Sequence, residues 1–393
     1  MKVTMYSNYL NHHQLPFCRK MDELTDHQFT FVAANDISEM RKNLGYQDMN
    51  KAHSFVLTTY DSEENAEKAL KLNETSDVVI YGACPDIYLK ERVKQNLLSF
   101  RYTERIHKLG PLSRLSPLSF KYRFQHLSGY ENVPLYVLCA GAYVPYDLAS
   151  LGCFIGKTYK WGYFPGTNTY QKEDLLSKKS HNEVTILWCA RFLDWKHPEA
   201  AVNTALYLKQ KGYSFHLNMI GQGEQETSIR KMIIDYGLQD EISLLGAMPT
   251  DQVRSHMETA DIFLFTSDFK EGWGAVLNES MNSGCAVVCS HAVGSAGFLI
   301  NHGINGLLYR NGDQTDLNEK TERLVKDSAL RKEFGWKAYE TITEMWNADS
   351  AAERFLELSE GMLNKKPVQF QEGPCSKADV ISQNDMYQVL TGR

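Results

Sequence analysis

Two glutamates lie eight positions apart in the stretch EGWGAVLNESMNSG, residues 271–284. The segment GAVLNESMNSG is typical of a helix that ends at Gly284. Glu271 would then lie just before the helix and Glu279 about two turns inside it. Two carboxylates at that separation cannot hold one atom, but they could bind the two ends of an extended ligand.

The start of the same helix would supply free backbone amides and the positive end of the helix dipole, both of which favour an anion. The amides concerned belong to Trp273, Gly274 and Ala275. The order carboxylate, anion site, carboxylate predicts a ligand made of a sugar, a diphosphate and a ribose. The alternative is a helix that is merely capped by acidic residues.

Two further motifs follow apolar runs earlier in the chain. Arg191 and Lys196 come after VTILWCA, and a turn could bring both cations onto one diphosphate. The alternative is two solvated charges. Gly221 and Gly223 come after SFHLNMI, and a G-x-G turn lets backbone amides approach a phosphate. The alternative is that these two glycines only form a turn and bind no phosphate.

Short apolar runs alternate with helical patterns in both halves of the chain. The runs are MKVTMYS, FTFVAA, SFVLTT, DVVIYGA and PLYVLCAGA, then VTILWCA, SFHLNMIG, EISLLG, DIFLFTS, CAVVCS and GLLY. Such runs predict buried parallel strands in βαβ units. Two sets predict an α/β fold of two facing doubly wound Rossmann-like domains. Ligands would bind in the interdomain cleft, at the carboxyl ends of the strands.

The composition changes near the middle of the chain and again near its end. Residues 161–183 are rich in Gly, Pro, Lys and Ser, which is typical of a linker. From about residue 364 the hydrophobic periodicity is lost, so the tail is expected either to be disordered or to pack back on the N-terminal domain. We predict an N-terminal acceptor domain (1–165), a linker (166–183), a donor-binding domain (184–363) and a tail (364–393).

Composition excludes several classes of protein. The formal net charge of −6 argues against a nucleic-acid-binding protein. The eight cysteines are scattered without a C-x-x-C pair, which predicts reduced thiols in the cytoplasm rather than a zinc ribbon or a disulfide framework. No apolar run approaches the ~20 residues that span a bilayer. We therefore expect a cytoplasmic protein that is soluble or peripheral on the inner face of the membrane.

Several of these motifs occur in a fixed order over residues 184–315: R-x4-K, G-x-G, LLGAMP, E-x7-E and GINGLLY. The set resembles the nucleotide-binding domain of family-four retaining glycosyltransferases, which have the GT-B fold. The first half is similar to members that act in bacterial capsule or surface-polysaccharide assembly. The similar segments are SNYLNHHQLPF, SDVVIYGACP, RYTERIHK and YKWGYFP, with GPCSKA in the tail.

The resemblance implies a retaining, hexosyl-type transferase that uses a nucleotide-diphosphate sugar, a glycan or lipid-linked acceptor and no cofactor. Arg191 and Lys196 would neutralise the leaving diphosphate. Glu271 would bind hydroxyls of the donor sugar, and Glu279 would bind those of the ribose. The segment Gly246, Ala247 and Met248 would lie against the base. No D-x-D triplet occurs, which agrees with a metal-independent reaction.

The first half departs from the family pattern at two loops. The glycine-rich loop after the first strand is replaced by NYLNHHQLPF, and a later histidine is replaced by YGACPD. We therefore predict that His12 assists catalysis and that Asn11 and His13 lie on the acceptor side. A solvated histidine pair is the alternative.

Residues 89–124 carry nine Lys or Arg but only Glu91 and Glu104, with aromatic residues and leucines between them. This segment predicts a basic amphipathic surface that suits an anionic membrane carrying a lipid-linked acceptor. A solvated basic face is the alternative, and nucleic acid is disfavoured because no recognised module accompanies the segment.

Two other functions remain open for the whole chain. A catalytically silent glycosyltransferase-like partner subunit would not need the complete set of donor-site residues. A nucleotide-sugar epimerase or hydrolase on the same fold would need an acid/base pair or a water-activating carboxylate, which the sequence does not identify. A dinucleotide oxidoreductase is disfavoured because no strand is followed by G-x-G-x-x-G.

Overall fold

The computed structural model describes residues 1–37, 48–108, 111–127, 129–179, 183–366 and 368–392. The chain divides into two compact units. The first unit contains Met1–Gly166 and Trp346–Ile381, and the second contains Thr167–Met345 and Ser382–Arg393. Each unit has one parallel β-sheet, so two doubly wound α/β units are present, as predicted.

The first sheet has seven strands in the order β3-β2-β1-β4-β5-β6-β7. They are β1 (Val3–Ser7), β2 (Phe29–Ala33), β3 (Val56–Thr58), β4 (Val78–Tyr81), β5 (Ser99–Thr103), β6 (Leu135–Ala140) and β7 (Thr158–Trp161). The helices of this part are α1 (Leu15–Leu24), α2 (Glu63–Thr75), α3 (Asp86–Lys94), α4 (Pro117–Leu127) and α5 (Val144–Ala149). Short 3-10 turns occur at Pro111–Leu115 and Tyr130–Asn132. The apolar runs did not predict β5 or β7.

The second sheet has six strands in the order β10-β9-β8-β11-β12-β13. They are β8 (Val184–Cys189), β9 (Phe215–Ile220), β10 (Ile242–Gly246), β11 (Ile262–Phe265), β12 (Ala286–Ser290) and β13 (Leu307–Tyr309). The helices are α6 (Lys172–Ser177), α7 (Pro198–Gln210), α8 (Glu226–Asp235), α9 (Thr250–Thr259), α10 (Val276–Asn282), α11 (Ala296–Leu299), α12 (Gln314–Lys326) and α13 (Ser328–Glu344). All six strands coincide with the predicted apolar runs.

Side-chain caps account for where several helices begin. The side chains of Ser62, Asp313 and Asp327 accept hydrogen bonds from the backbone amides three residues further on. Each bond satisfies one of the amides that the first turn of a helix leaves without a partner. Helices α2, α12 and α13 start at these positions for that reason.

The end of the chain returns to the first unit before it joins the second. Helix α14 (Ala348–Leu363) packs on α1, and the Phe355 ring lies 6.4 Å from the Phe17 ring, centroid to centroid. Residues 375–378 pair with β7, where the Lys160 amide donates to the Ser376 carbonyl at 2.8 Å. The last helix, α15 (Met386–Thr391), belongs to the second unit.

Two predicted domain limits are therefore wrong. A donor domain over 184–363 would include α14, but α14 helps to form the core of the first unit through Phe355. The predicted linker (166–183) contains α6, and all but its first residue belong to the second unit. Among the described residues, no helix combines the length and the apolar character needed to cross a membrane.

Both sheets have a topological switch point near their centre. In the first sheet β1 pairs with β4, and in the second sheet β8 pairs with β11. On either side of each pair, the chain adds strands in opposite directions, so the loops at the carboxyl ends diverge and leave a crevice. The loops after β1 and β4, and those after β8 and β11, are therefore positioned to bind ligands within their own units.

Candidate functional site

The loops after β8 and β11 meet at the switch point of the second sheet. The Asp268 amide donates to the Trp195 carbonyl at 3.0 Å, and the Thr266 hydroxyl donates to the Lys196 carbonyl at 2.6 Å. These bonds bring the Lys196 ammonium into an ion pair with the Glu271 carboxylate, and each side chain is 11% exposed. Two predicted site residues are thus in direct contact, although separate roles were predicted for them.

Arg191 is the other predicted cation of this site. It lies on the same loop after β8, before the 3-10 turn Asp194–Lys196. Its side chain is exposed, and it forms no ion pair with any residue in the described part of the chain. The loop therefore carries one cation that is already neutralised by a carboxylate and one that remains available to an anion.

Helix α10 begins at Val276, so Glu279 lies about one turn inside it rather than two. The predicted end is confirmed, since Gly284 follows the last turn with φ +68°. The Glu279 side chain is largely enclosed, and burial raises the pKa of its carboxyl group, an effect that Arg254 opposes. Arg254 donates to the backbone carbonyl of Glu279 at 3.0 Å. No described residue donates a hydrogen bond to the Glu279 carboxylate, which suits it to accept hydroxyl groups of a ligand.

The segment between the two glutamates combines a core side chain with a tight turn. The Trp273 ring is fully buried and its indole N–H donates to the Asn278 side chain at 2.9 Å, so Trp273 contributes its backbone alone. Gly274 has φ +87°, and a Cβ there would lie 2.5 Å from the Phe265 ring. The amides of Gly274 and Ala275 donate to no backbone carbonyl among the described residues. Their predicted contact with phosphate stays a prediction.

The glycines of the G-x-G turn are explained by packing. Gly221 and Gly223 have φ +131° and +158°, and a Cβ on Gly221 would lie 1.9 Å from the Ala190 carbonyl oxygen. The turn after β9 lies directly on the loop after β8, where the Phe192 amide donates to the Gln222 carbonyl at 3.0 Å. Both positions therefore require glycine, because a side chain there would overlap the loop that carries Arg191. Their contact with a phosphate stays a prediction.

The predicted base-binding segment lies at the end of the neighbouring strand. Gly246 ends β10, and its carbonyl accepts a hydrogen bond from the Gly221 amide at 2.8 Å. Ala247 is exposed and Met248 is partly exposed. The structure brings this segment to the same edge of the sheet as the G-x-G turn, and its contact with a base stays a prediction.

His197 belongs to this site, and sequence analysis missed it. It lies next to Lys196 with φ +50°, a left-handed conformation that is unfavourable for a residue with a Cβ. Its Nδ1 lies 2.8 Å from a Glu199 carboxylate oxygen, and its Nε2 lies 3.7 Å from one of Asp268. The carboxylate of Asp268, followed by that of Glu199, raises the pKa of His197 to about 9. The protonated ring therefore links the loops after β8 and β11 beside Lys196.

We expect His197→Asn, which tolerates the left-handed conformation, to destabilise the protein in a pH-dependent way. The folded-state pKa of about 9 exceeds the ordinary 6.5, so the stabilisation is complete below pH 6.5 and is lost as pH rises through 9. The side chain is 35% exposed and its ion pairs are screened, so we expect about 1 kcal/mol. Urea unfolding below and above this window measures it. An equal difference between variant and parent in both buffers would contradict the ionic role of His197.

A cavity of about 560 Å³ opens at the carboxyl ends of the first sheet, around the switch point between β1 and β4. His12 and His13 line it, and their rings lie 3.8 Å apart. The His13 ring stacks on Tyr163 at 5.6 Å, and its buried Nδ1 has no hydrogen-bond partner among the described residues. Burial, and to a smaller extent His12, lowers the pKa of His13 to about 3. His13 is therefore neutral at physiological pH.

Asn11 shapes the loop that carries the two histidines. Its side-chain oxygen accepts hydrogen bonds from the His13 amide at 3.0 Å and the Gln14 amide at 3.2 Å. This arrangement resembles an N-cap and fixes the loop just before α1. Asn11 also lines the cavity, so the three predicted residues of this loop are brought together. Their roles toward an acceptor stay predictions.

Two carboxylates in the same cavity were not predicted. Asp86 forms an ion pair with Lys121 at 2.5 Å and lies 3.5 Å from Arg101. Glu104 accepts a hydrogen bond from the Tyr163 hydroxyl and forms an ion pair with Lys108. Two segments noted in the sequence contain these carboxylates: YGACPD ends at Asp86, and RYTERIHK contains Glu104.

Several cations of the predicted basic face over residues 89–124 are buried or paired, and contact of this segment with a membrane stays a prediction. Arg92 is fully buried and donates its guanidinium N–H groups to backbone carbonyls, among them that of Asn73 at 2.7 Å. Arg105 is also buried and pairs with Asp147 at 3.2 Å. Other cations of the segment pair with carboxylates: Lys94 with Glu91, Lys108 with Glu104, and Arg101 and Lys121 with Asp86. A charge count along the sequence includes neither burial nor partners outside the segment.

Residues 171–341 match the model of a family described as glycosyl transferases group 1. The chain is 32% identical over 154 residues to the amylovoran biosynthesis glycosyltransferase AmsK of Erwinia amylovora, an alignment that covers 38% of each chain. It is 29% identical over 169 residues to a poly(ribitol-phosphate) alpha-N-acetylglucosaminyltransferase of Staphylococcus aureus (strain COL), over 43% of this chain and 34% of the relative. The chain thus spans less than two fifths of the length of each of these relatives.

A solved structure of the Anabaena protein HepE in complex with UDP has a similar fold. The TM-score is 0.67 at 15% sequence identity, and the similarity covers 92% of this chain and 100% of that one. At this identity the likeness concerns the fold alone. It confirms the predicted GT-B fold of two Rossmann-like units.

Proposed function

We propose, on the premise that residues 171–341 form a domain of the glycosyl transferases group 1 family, that this protein is a retaining glycosyltransferase. It would move a hexose-type sugar from a nucleotide-diphosphate donor to a glycan acceptor. The observation that carries the proposal is the Lys196–Glu271 ion pair, which lies with Arg191 at the switch point of the second sheet. The names of the two relatives, which refer to amylovoran and poly(ribitol-phosphate), favour an acceptor from bacterial surface-polysaccharide assembly.

The donor would occupy the loops after β8 and β11 in an extended form. Its diphosphate would lie against Arg191 and Lys196, and phosphate would replace Glu271 as a partner of the Lys196 ammonium. Glu271 would then be free to accept hydrogen bonds from sugar hydroxyls, and the unpartnered carboxylate of Glu279 would accept those of the ribose. HepE, which has the same fold, binds UDP, and this supports a nucleotide donor.

In the proposed reaction the bond between the anomeric carbon and the phosphate oxygen breaks while a bond to the acceptor hydroxyl oxygen forms on the same face of the sugar. The acceptor proton passes to the departing phosphate oxygen. Negative charge develops on the leaving diphosphate, and Lys196 and Arg191 would stabilise it in an enclosed site. This chemistry requires neither a protein nucleophile nor a metal ion, and we propose that the enzyme is metal-independent.

The acceptor would bind in the first unit, in the cavity lined by His12 and His13. Its polar lining suits a hydroxyl-rich glycan, and Asp86 and Glu104 supply carboxylate acceptors there. The neutral ring of His13, with an unpartnered Nδ1, could accept a hydrogen bond from an acceptor hydroxyl. We propose a cytoplasmic location, which the eight unpaired cysteines support.

A thermal-shift screen of the purified protein tests the donor site. UDP, GDP, ADP, CMP and their common sugar conjugates would be compared, each with and without a chelator. A ligand at about a hundred times its Kd stabilises the folded state by about 2.7 kcal/mol, so one diphosphate family should raise the Tm clearly. An unchanged shift in chelator supports metal independence, and a lost shift contradicts it.

Product analysis then separates the transferase from other functions of the same fold. With the donor that binds, we expect a new glycosidic product whose anomeric configuration matches that of the donor. Epimerised donor or free sugar as the main product would indicate an epimerase or a hydrolase. The absence of any thermal shift would contradict the donor site and favour a catalytically silent partner subunit.

A further inference from the structure

Helix α4 presents large apolar side chains to solvent. Phe120 is 58% exposed and Phe124 is 74% exposed. They lie one helical turn apart and therefore point to the same side of the helix. Ser119 and His126, on the opposite side, are buried. A helix that packs on a core normally buries its most apolar face. In α4 the most apolar face is turned to solvent instead.

Two further large apolar side chains are exposed next to the two ends of the helix. Leu115 ends the 3-10 turn that precedes α4 and is 71% exposed. Ile155 is 72% exposed and follows Phe154, whose buried ring packs on His126 at 5.4 Å between centroids. Ile155 is thereby held near the carboxyl end of α4 by a core contact.

The other side of α4 is fixed to the unit by polar contacts. Lys121 pairs with Asp86, the Gln125 side chain donates to Asp86 at 3.3 Å, and the Tyr122 ring lies 4.8 Å from the Arg101 guanidinium carbon. These contacts set the rotation of the helix about its own axis. The exposure of Phe120 and Phe124 therefore follows from how the helix is attached.

Two cations of this face lack a carboxylate partner. Residues 105–127 contain five Lys or Arg, of which three pair with carboxylates outside the segment: Arg105 with Asp147, Lys108 with Glu104 and Lys121 with Asp86. Arg114 and Arg123 are exposed, and neither forms an ion pair with a carboxylate in the described parts of the chain. Arg114 donates a hydrogen bond to the Tyr146 hydroxyl at 3.1 Å, which leaves its charge without a counterion. Large apolar side chains beside arginines without a carboxylate partner suit a surface that offers both hydrocarbon and phosphate.

We propose that this face binds an anionic lipid membrane. The face, called here the α4 surface, consists of Arg114, Leu115, Phe120, Arg123, Phe124 and Ile155. Its apolar side chains enter the boundary between headgroups and acyl chains, while its two arginines pair with lipid phosphates. A second protein surface would also cover the apolar residues, but neither arginine has a carboxylate partner in the described parts of the chain, and this favours an anionic partner.

The α4 surface adjoins the cavity proposed for the acceptor. Leu118, Lys121 and Tyr122 of the same helix line that cavity. A membrane that contacts the outer side of α4 would present the headgroup of an embedded lipid next to the cavity. This step rests on the proposed function, and it identifies the acceptor class as a glycan carried by a membrane lipid.

Salt dependence distinguishes the α4 surface from a surface that binds membranes by charge alone. Because only two arginines without a carboxylate partner contribute, higher salt should weaken binding but leave a remainder that depends on the aromatic residues. A surface that used all nine cations of residues 89–124 would lose its binding in salt almost completely. The contributions of the apolar side chains and of the arginines to membrane binding can therefore be measured separately, by substitution and by changing the ionic strength.

The test is co-sedimentation of the full chain with vesicles, either of phosphatidylcholine alone or of phosphatidylcholine with phosphatidylglycerol. We expect binding to the anionic vesicles, and on the order of a tenfold or greater loss of partitioning in Phe120→Ser/Phe124→Ser. Arg114→Gln/Arg123→Gln should bind less at low salt and equal the parent at high salt. Leu70→Ser is the matched control, since Leu70 is 41% exposed on α2 of the same unit, and it should bind as the parent does.

Three outcomes would overturn the proposal: no binding of the parent to anionic vesicles, equal binding of the Phe120→Ser/Phe124→Ser variant, or equal loss in the control. A parent that forms dimers abolished by the same variant, without binding vesicles, would assign the α4 surface to a second copy instead. Circular dichroism and the nucleotide-induced thermal shift, which reports on the second unit, establish that the variants are folded. Vesicle binding without any nucleotide shift would retain the membrane surface and reject the transferase.

Discussion

Replacing Lys196 by alanine is expected to lower the turnover number about a hundredfold or more, with a smaller effect on nucleotide affinity. The ammonium acts on charge that develops on the leaving diphosphate, and loss of one such stabiliser costs roughly 10²–10³ in rate. The variant should also be less stable, because the enclosed Glu271 carboxylate loses its partner. Initial rates with the identified donor and a Tm measurement give the two effects separately.

A double variant separates catalysis from folding at this ion pair. Lys196→Ala/Glu271→Gln should recover much of the lost Tm, since no unpaired carboxylate remains, but none of the lost rate. Lys209→Ala is the matched control, because Lys209 also pairs with a glutamate, Glu241, at 2.7 Å in the same unit. Near-normal turnover in Lys196→Ala would mean that the diphosphate binds elsewhere.

Replacing Glu279 by glutamine is expected to change stability and binding in opposite directions. Burial raises the pKa of Glu279 and no described residue hydrogen-bonds to its carboxylate, so the charged form is unfavourable in the folded protein. Glutamine removes that charge, and the Tm at neutral pH should rise. The nucleotide diphosphate should bind about tenfold to a hundredfold more weakly, because a hydrogen bond to a charged group contributes about 1.5–3 kcal/mol. Calorimetry and thermal unfolding measure the pair of effects.

The pH dependence follows from the same raised pKa. As pH falls below the raised pKa, the folded protein takes up a proton at Glu279, and the stability penalty declines until it is gone below the ordinary pKa of a glutamate. Nucleotide affinity of the parent should fall over that range, whereas affinity of Glu279→Gln should not. Glu340→Gln, at a glutamate paired with Lys337 on α13, serves as the control. Unchanged affinity in Glu279→Gln would remove this residue from the ribose.

The sequence predicted the second sheet more completely than the first. Each of its six strands is a near-continuous apolar run, which is what burial on both faces requires. The two strands missed in the first sheet, SFRYT of β5 and TYKW of β7, carry Arg101 and Lys160. These two strands are held by contacts with distant residues. The Arg101 side chain pairs with Asp86, and the Lys160 backbone forms hydrogen bonds with residues 375 and 376. Hydrophobic periodicity along the sequence does not predict such long-range contacts.

The site was predicted as a set of residues but not as a geometry. Spacing along the chain placed Arg191, Lys196 and Glu271 after strands, where parallel sheets collect ligand-binding groups. It did not predict the Lys196–Glu271 contact, because that contact depends on how two loops 75 residues apart meet. His197 was missed for the same reason, since its partner Asp268 lies on the second loop.

The return of α14 to the first unit has a consequence for synthesis on the ribosome. Phe355 packs against Phe17, Phe100 and Trp161, with ring centroids 6.4, 5.0 and 6.0 Å away. Phe355 is translated roughly 190 residues after Gly166, which at about 5–20 residues per second means a delay of about 10–40 s. All six strands of the second unit emerge within that interval. The nascent N-terminal sheet therefore waits with an uncovered aromatic surface, and during that wait it is a substrate for chaperones that bind exposed apolar chain.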